Sequence, residues 1–249
     1  MKTNPMKAKL LGAVVAIVVA VTVVYATTFT DNFTEAATVD LILHVASPTS
    51  GTWSEVEDTA TTLTLNNHTS DYVTPSGLSN SNRIIYTVSW TPGDANYSAA
   101  YTLVVGIPTT NDDPAAIIAR YADTSNYYAL LLTTTATNTV KLIKVSGGTR
   151  TELASADVTI ALSDVWQFEL KSSTLKGYQN STERVCAVDG TITAAGVIGI
   201  GAGNIGPTTT DDITTAWRWD DLTMVDGLGS GAGCGAAGVR SGLLLGVGP

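Results

Sequence analysis

The sequence predicts an all-β protein built as a two-sheet antiparallel sandwich. Three observations carry that expectation. Between residues 27 and 226 no ten-residue stretch keeps a helical period, apolar residues alternate at period two every 8 to 15 residues, and turn-forming residues separate the alternating runs. The polar residues are mostly Thr, Ser, Asn and Gly rather than Lys and Glu, and only 14% of the chain is charged. Thr and Val suit half-buried strands, and Gly and Asn suit tight turns.

Residues 165–171 show the pattern most cleanly. Trp166, Phe168 and Leu170 fall on one face and Gln167, Glu169 and Lys171 on the other, as in a strand with one face in a core and one in water. Residues 83–90 place Ile84, Tyr86, Val88 and Trp90 on one side, and 99–105 do the same with Tyr101, Leu103 and Val105. These two strands are expected to pair across Pro92-Gly93-Asp94. Further strands are expected at 115–121, 126–133, 139–145, 151–156, 174–178, 184–188, 196–202 and 216–225. The turns at Asp123-Thr124-Ser125-Asn126 and Ser146-Gly147-Gly148 join four of them. More than ten short strands in one chain point to a sandwich or barrel, and no 20-to-50-residue repeat suggests a propeller or solenoid.

Two terminal segments flank this body. Lys2, Lys7 and Lys9 precede an almost wholly apolar run over 10–24, and Val24-Tyr25-Ala26 offers a cleavage site after Ala26. Residues 1–26 therefore read as a helical secretory leader, with an uncleaved signal anchor or a pilin-like leader as alternatives. The expected location is secreted or at the cell surface, with membrane contact only through this segment. Residues 227–249 form a Gly-rich tail without the patterning of a packed element, expected to be flexible or to serve in self-assembly.

The net charge is −9, and three of the 13 basic residues lie in the first 26, leaving 10 against 22 acidic side chains. The ten are scattered from Arg83 to Arg240, so no basic stripe exists for nucleic acid. The two cysteines, Cys186 and Cys234, can pair in an exported chain; alternatively, Cys186 is a small buried hydrophobe and Cys234 a tail thiol.

A specific resemblance rests on Asp31-Asn32-Phe33-Thr34, followed by Leu41, Leu43, His44 and then Thr49-Ser50-Gly51-Thr52-Trp53. It continues through Ile118-Ala119-Arg120-Tyr121, Asn126-Tyr127-Tyr128-Ala129-Leu130, Val140-Lys141-Leu142, Trp166, Leu175-Lys176-Gly177-Tyr178, residues 191–201 and Trp219-Asp220-Asp221-Leu222. In order and spacing this resembles the concanavalin A-like, laminin-G-like jelly roll of secreted and phage-encoded proteins. The resemblance implies a curved two-sheet sandwich that binds carbohydrate or another surface ligand, often alongside a structural role in a virion, filament or cell-surface layer.

The chemistry that would make such a domain a glycan hydrolase is not spelled out. A retaining glycosidase needs two carboxylates about 5–5.5 Å apart on one face. Glu55 and Glu57 have matching parity, but no third acid completes the pattern, and an exposed acidic turn after Trp53 is expected instead. With two histidines, His44 and His68, a triad or histidine-rich metal site has little material. His44 is expected to be a structural hydrogen-bonding residue. Calcium is the one cofactor the composition suggests, at Asn111, Asp112 and Asp113, because clustered loop oxygens suit it. A sugar would be held by aromatic faces ringed by amides. The residues expected to serve are Trp217 and Trp219 on one strand face, with Tyr97, Tyr127 and Asn126. The function expected is thus a non-catalytic lectin-like module whose partner is a glycan or cell-surface polymer, with a structural subunit as the alternative.

Overall fold

The computed structural model describes residues 27–46, 49–58, 64–68, 72–76, 83–103, 115–134, 138–203, 218–229 and 233–234. The leader helix expected within 1–26 and most of the tail lie outside the described residues. Among those described, the strands form two antiparallel sheets and the only helical turn is a 3₁₀ turn at Leu41–Leu43.

The nine-stranded sheet runs β14 (Thr182–Val188), β13 (Thr174–Gln179), β12 (Val165–Lys171), β7 (Tyr97–Leu103), β16 (Trp219–Val225), β5 (Tyr72–Ser76), β4 (Thr64–His68) and β2 (Val39–Asp40), with β1 (Thr28–Asp31) also paired to β16. The seven-stranded sheet runs β11 (Thr149–Asp157), β10 (Asn138–Ser146), β9 (Asn126–Thr134), β8 (Ala115–Asp123), β15 (Val197–Gly203), β6 (Arg83–Val88) and β3 (Trp53–Asp58). The period-two strand 165–171 appears as expected, with Trp166, Phe168 and Leu170 inward.

Two expectations need correction. The strands over 83–90 and 99–105 do not pair: β6 lies between β15 and β3 in one sheet, and β7 lies between β12 and β16 in the other. Ile84, Tyr86 and Val88 of β6 and Tyr97, Ala99, Tyr101 and Leu103 of β7 enter the same core from opposite sheets, while Ile85 of β6 joins a second cluster on the outer side. The segment after Trp53 is not an exposed turn but the marginal strand β3, paired with β6.

The inner faces share one core. Tyr86, Tyr97, Tyr101, Trp166, Phe168, Trp219, Leu222 and Met224 are among its fully buried members. A second buried cluster, including Ile85, Ile118, Tyr121, Tyr127, Leu131, Ile143 and Val145, covers the outer face of the seven-stranded sheet. Strands β8 and β9 are therefore apolar on both sides.

Candidate ligand-binding face

Glu55 and Glu57 are separated by a bulge. The register of β3 on β6 shifts between them, so Val56 and Glu57 both turn outward, where Val56 packs on the second cluster. Glu55 instead accepts the Tyr86 hydroxyl at 2.9 Å, and the same hydroxyl lies 3.1 Å from Asp40 Oδ1. The two glutamates thus face opposite sides of the strand. Glu57 forms an ion pair with Arg83. Burial raises the Glu57 pKa, and the Arg83 guanidinium lowers it in part. The Tyr127 phenol is raised first by burial, then by Glu57, and is also acted on by Arg83 and Arg150. Glu57 lies on the marginal strand β3 and Arg150 on the opposite marginal strand β11.

The residues expected to hold a sugar are not brought together. Trp219 is fully buried and packs edge to face on Tyr101, with ring centroids 6.4 Å apart. A strand in strict alternation would place Leu222 and Met224 on the opposite face from Trp219. A bulge overturns it: the register with β7 shifts between Asp220 and Thr223, and Asp221 takes a positive φ of 50°. One extra residue reverses the parity and sends Trp219, Leu222 and Met224 to the same side. Trp217 lies outside the described residues. Tyr97 is also buried, its hydroxyl accepting from the Arg120 backbone N–H at 2.5 Å and donating to the Ala195 carbonyl at 3.1 Å. Tyr127 belongs to the second cluster. Asn126 braces two adjacent turns, donating to Asp123 Oδ1 at 2.9 Å and accepting from the Gly147 N–H at 3.1 Å. Asn111, Asp112 and Asp113 lie outside the described residues.

Structural polar networks account for other prominent residues. Asp31 accepts from His44 Nε2 at 2.8 Å, Trp53 Nε1 at 2.8 Å and the Phe33 N–H at 3.0 Å, while His44 Nδ1 meets Glu35 at 2.7 Å. The DNF opening, His44 and Trp53 are therefore one buried brace. The buried Arg120 guanidinium donates to the carbonyls of Ile192, Ala95 and Ser172 at 2.7–2.9 Å, tying three loops together. Its φ is 47°, and Gly196 passes so close that a Cβ there would lie 2.5 Å from the Arg120 carbonyl carbon. Only glycine fits that approach.

The outer face of the nine-stranded sheet differs from that of its partner, because its side chains are polar and partly open to water. Register places Thr223, Ala100, Gln167 and Tyr178 in one row across β16, β7, β12 and β13. Ser98, Glu169, Lys176 and Cys186 form the next. Tyr178 is half-buried, and its hydroxyl donates to Glu169 at 3.3 Å. Burial raises its pKa to about 12, with Glu169 and Glu183 adding to the effect. Lys171 pairs with Glu169, and Lys176 with Glu183, both at 2.9 Å. Ser98, Ala100 and Thr102 put short side chains on β7, across β12 from the phenol. Cys186, at the rim, forms a disulfide with Cys234 and brings that part of the tail to this face. The sequence signal for the face was the polar half of the strand over 165–171. Nothing in the sequence distinguishes Tyr178 from an inward-facing strand aromatic.

No family model matches the chain, and no curated protein matches its sequence. Solved structures do resemble it. The CBM2 module of the Lactobacillus casei BL23 phage J-1 evolved Dit aligns at TM-score 0.54 and 10% identity, over 81% of this chain and 97% of that one. The GH43 protein BlXynB of Bacillus licheniformis aligns at 0.53 and 16% identity over 79% of this chain, which spans only 39% of that protein. The exoplasmic/lumenal domain of VIP36, in a Ca²⁺/Man3GlcNAc-bound form, aligns at 0.50 and 12% identity over 72% of this chain and 85% of that domain. The fold is the concanavalin A-like lectin/glucanase jelly roll.

Proposed function

We propose that this chain is a non-catalytic carbohydrate-binding module, displayed outside the cell, that holds a polysaccharide on the outer face of its nine-stranded sheet. The observation that carries the reading is the row containing Tyr178, Gln167 and Ala100, bordered by Glu169, Lys176 and Glu183. A sugar ring offers an apolar C–H face and a rim of hydroxyls. The phenol supplies an apolar surface, the Gln167 amide supplies a donor and an acceptor, and the carboxylates accept from hydroxyls. The short side chains of Ser98, Ala100 and Thr102 leave room for the next sugar unit along the sheet. The opposed directions of Glu55 and Glu57 support the non-catalytic part of the reading. The basic and apolar N-terminal segment and the disulfide support export, since structural disulfides belong to oxidising compartments.

The test is binding of the exported protein to an array of immobilised glycans, followed by affinity measurements on the glycans retained. Tyr178→Ala and Gln167→Ala are expected to weaken binding about tenfold each, a loss of about 1.4 kcal/mol. Their melting temperatures are expected to stay near that of the parent, because both side chains face outward. Undiminished affinity in Tyr178→Ala, or no retained glycan at all, would refute the reading. Reducing-sugar release by the parent protein would refute its non-catalytic part.

A further inference from the structure

Asp226, at the end of β16, is a buried carboxylate, 4% exposed, with a particular arrangement of partners. Its Oδ2 accepts the Gly93 N–H at 2.8 Å and its Oδ1 lies 2.5 Å from the Thr27 nitrogen, while its own N–H donates to the Thr27 carbonyl at 3.0 Å. Side chain and backbone together grip the residue that opens the body. The neighbouring acid, Asp94, is turned toward the Asn96 N–H at 2.9 Å. Among the described residues, none of the ion pairs brings a lysine, arginine or histidine to Asp226. Burial alone would raise its pKa, but the donors from Gly93 and Thr27 lower it overall, so the group is an anion at neutral pH. Among the described residues, this buried anion has hydrogen-bond donors but no counter-charge of the kind that normally offsets desolvation.

The sequence places a cation at that atom if the leader is removed. Val24-Tyr25-Ala26 is the expected cleavage motif and Thr27 is the next residue. Hydrolysis of the Ala26–Thr27 amide consumes one water, leaves a carboxylate on Ala26 and frees an amine on Thr27. With a reference pKa of about 7.7–8.0, that amine takes up a proton near neutrality. Its nitrogen is the one already beside Asp226 Oδ1.

We propose that a leader peptidase of the export machinery cuts between Ala26 and Thr27, and that Asp226 is the binding site for the α-ammonium group so created. The inference rests on the export part of the proposed function and is independent of the glycan. The ion pair would lock β1 onto β16 only after processing, so the mature chain is held more firmly than its precursor.

The full chain, expressed with export, should yield a mature protein whose intact mass and N-terminal sequence begin at Thr27. A retained leader, or a first residue other than Thr27, overturns the proposal. In the mature protein the α-amine pKa is raised by the carboxylate, so its stabilising effect is complete below the unfolded value and fades as pH rises through the folded one. The melting temperature of the parent should exceed that of Asp226→Asn by several degrees at pH about 7, and the gap should narrow above pH about 8. Any titration elsewhere, His44 included, is common to both proteins and cancels in the difference. A gap that stays constant with pH overturns the lock. Because the variant removes a buried group and can fold poorly, labelling the parent with an amine reagent near neutral pH gives a second readout. The Thr27 amine should react at least about tenfold more slowly folded than unfolded, which corresponds to about one pKa unit of protection; equal rates overturn the proposal.

Discussion

His44 sits between two carboxylates, and both ring nitrogens are engaged, one by Asp31 and the other by Glu35. Only the protonated ring can donate from both nitrogens. Burial works against that charge, but the hydrogen bonds and charges of Asp31 and Glu35 outweigh it, and the pKa stands above the ordinary 6.5. The sign of the linkage follows. A group whose folded pKa is raised contributes fully below its unfolded value and loses that contribution as pH rises through the folded value. The melting temperature is therefore expected to decline as pH rises above about 6.5, the unfolded value, with His44→Gln flattening that part of the profile. A profile identical in the variant and the parent would show that the ring is neutral in the folded protein. The cluster also explains why a motif legible in sequence did not mark a ligand site: Asp31, His44 and Trp53 satisfy one another.

At the scale of elements, bulges decide which residues meet. The extra residue at Asp221 turns Trp219 inward, and the extra residue at Val56 sends Glu57 away from Glu55. Alternation in the sequence predicted the strand 165–171, where apolar and polar residues strictly alternate, and turn signals bounded most strands after residue 115, including β8 and β9, which are apolar on both sides. It failed wherever one inserted residue reversed the parity, since a bulge leaves no composition signal. The proposed ligand face was hidden for another reason, because it depends on the register between β12 and β13 rather than on either strand alone. The disulfide has a consequence that its position makes testable. Cys186 lies on the marginal strand β14, opposite Lys176, and bonds to Cys234 across a sequence separation of 48. Closing a loop of that size restrains the unfolded chain and stabilises the fold by about 2–4 kcal/mol. Reduction is expected to lower the melting temperature by about 5–15 °C. The Cys186→Ser, Cys234→Ser double variant should match the reduced parent, and an unshifted melting temperature in both would show that the bond leaves stability unchanged.

Across the whole molecule, the seven-stranded sheet is the layer with apolar clusters on both faces. In β8 the sequence Ala115-Ala116-Ile117-Ile118-Ala119 is buried without interruption: Ala115, Ile117 and Ala119 enter the main core, while Ala116 and Ile118 enter the second. Strand β9 repeats the arrangement, with Tyr128, Leu130 and Leu132 on one side and Tyr127, Ala129 and Leu131 on the other. Strands β12 and β7 of the other sheet bury one face and turn Gln167, Glu169, Ala100 and Thr102 toward water. Opening β8 or β9 would expose apolar surface on two sides at once, whereas opening β12 or β7 would expose it on one. Local opening free energy rises with the apolar area it uncovers, so amide exchange should be slowest at the centre of the seven-stranded sheet. Backbone amides of β8, β9 and the adjoining β15 are expected to exchange only through global unfolding. Those of the marginal strands β11 and β14 should exchange earliest among the long strands, because each has a neighbour in its sheet on one side only. Faster exchange in β8 and β9 than in β12 and β7 would mean that the second cluster opens independently of the main core. The face around Tyr127 would then be accessible to a ligand, and it would compete with the face around Tyr178 as the place where this sandwich meets its partner.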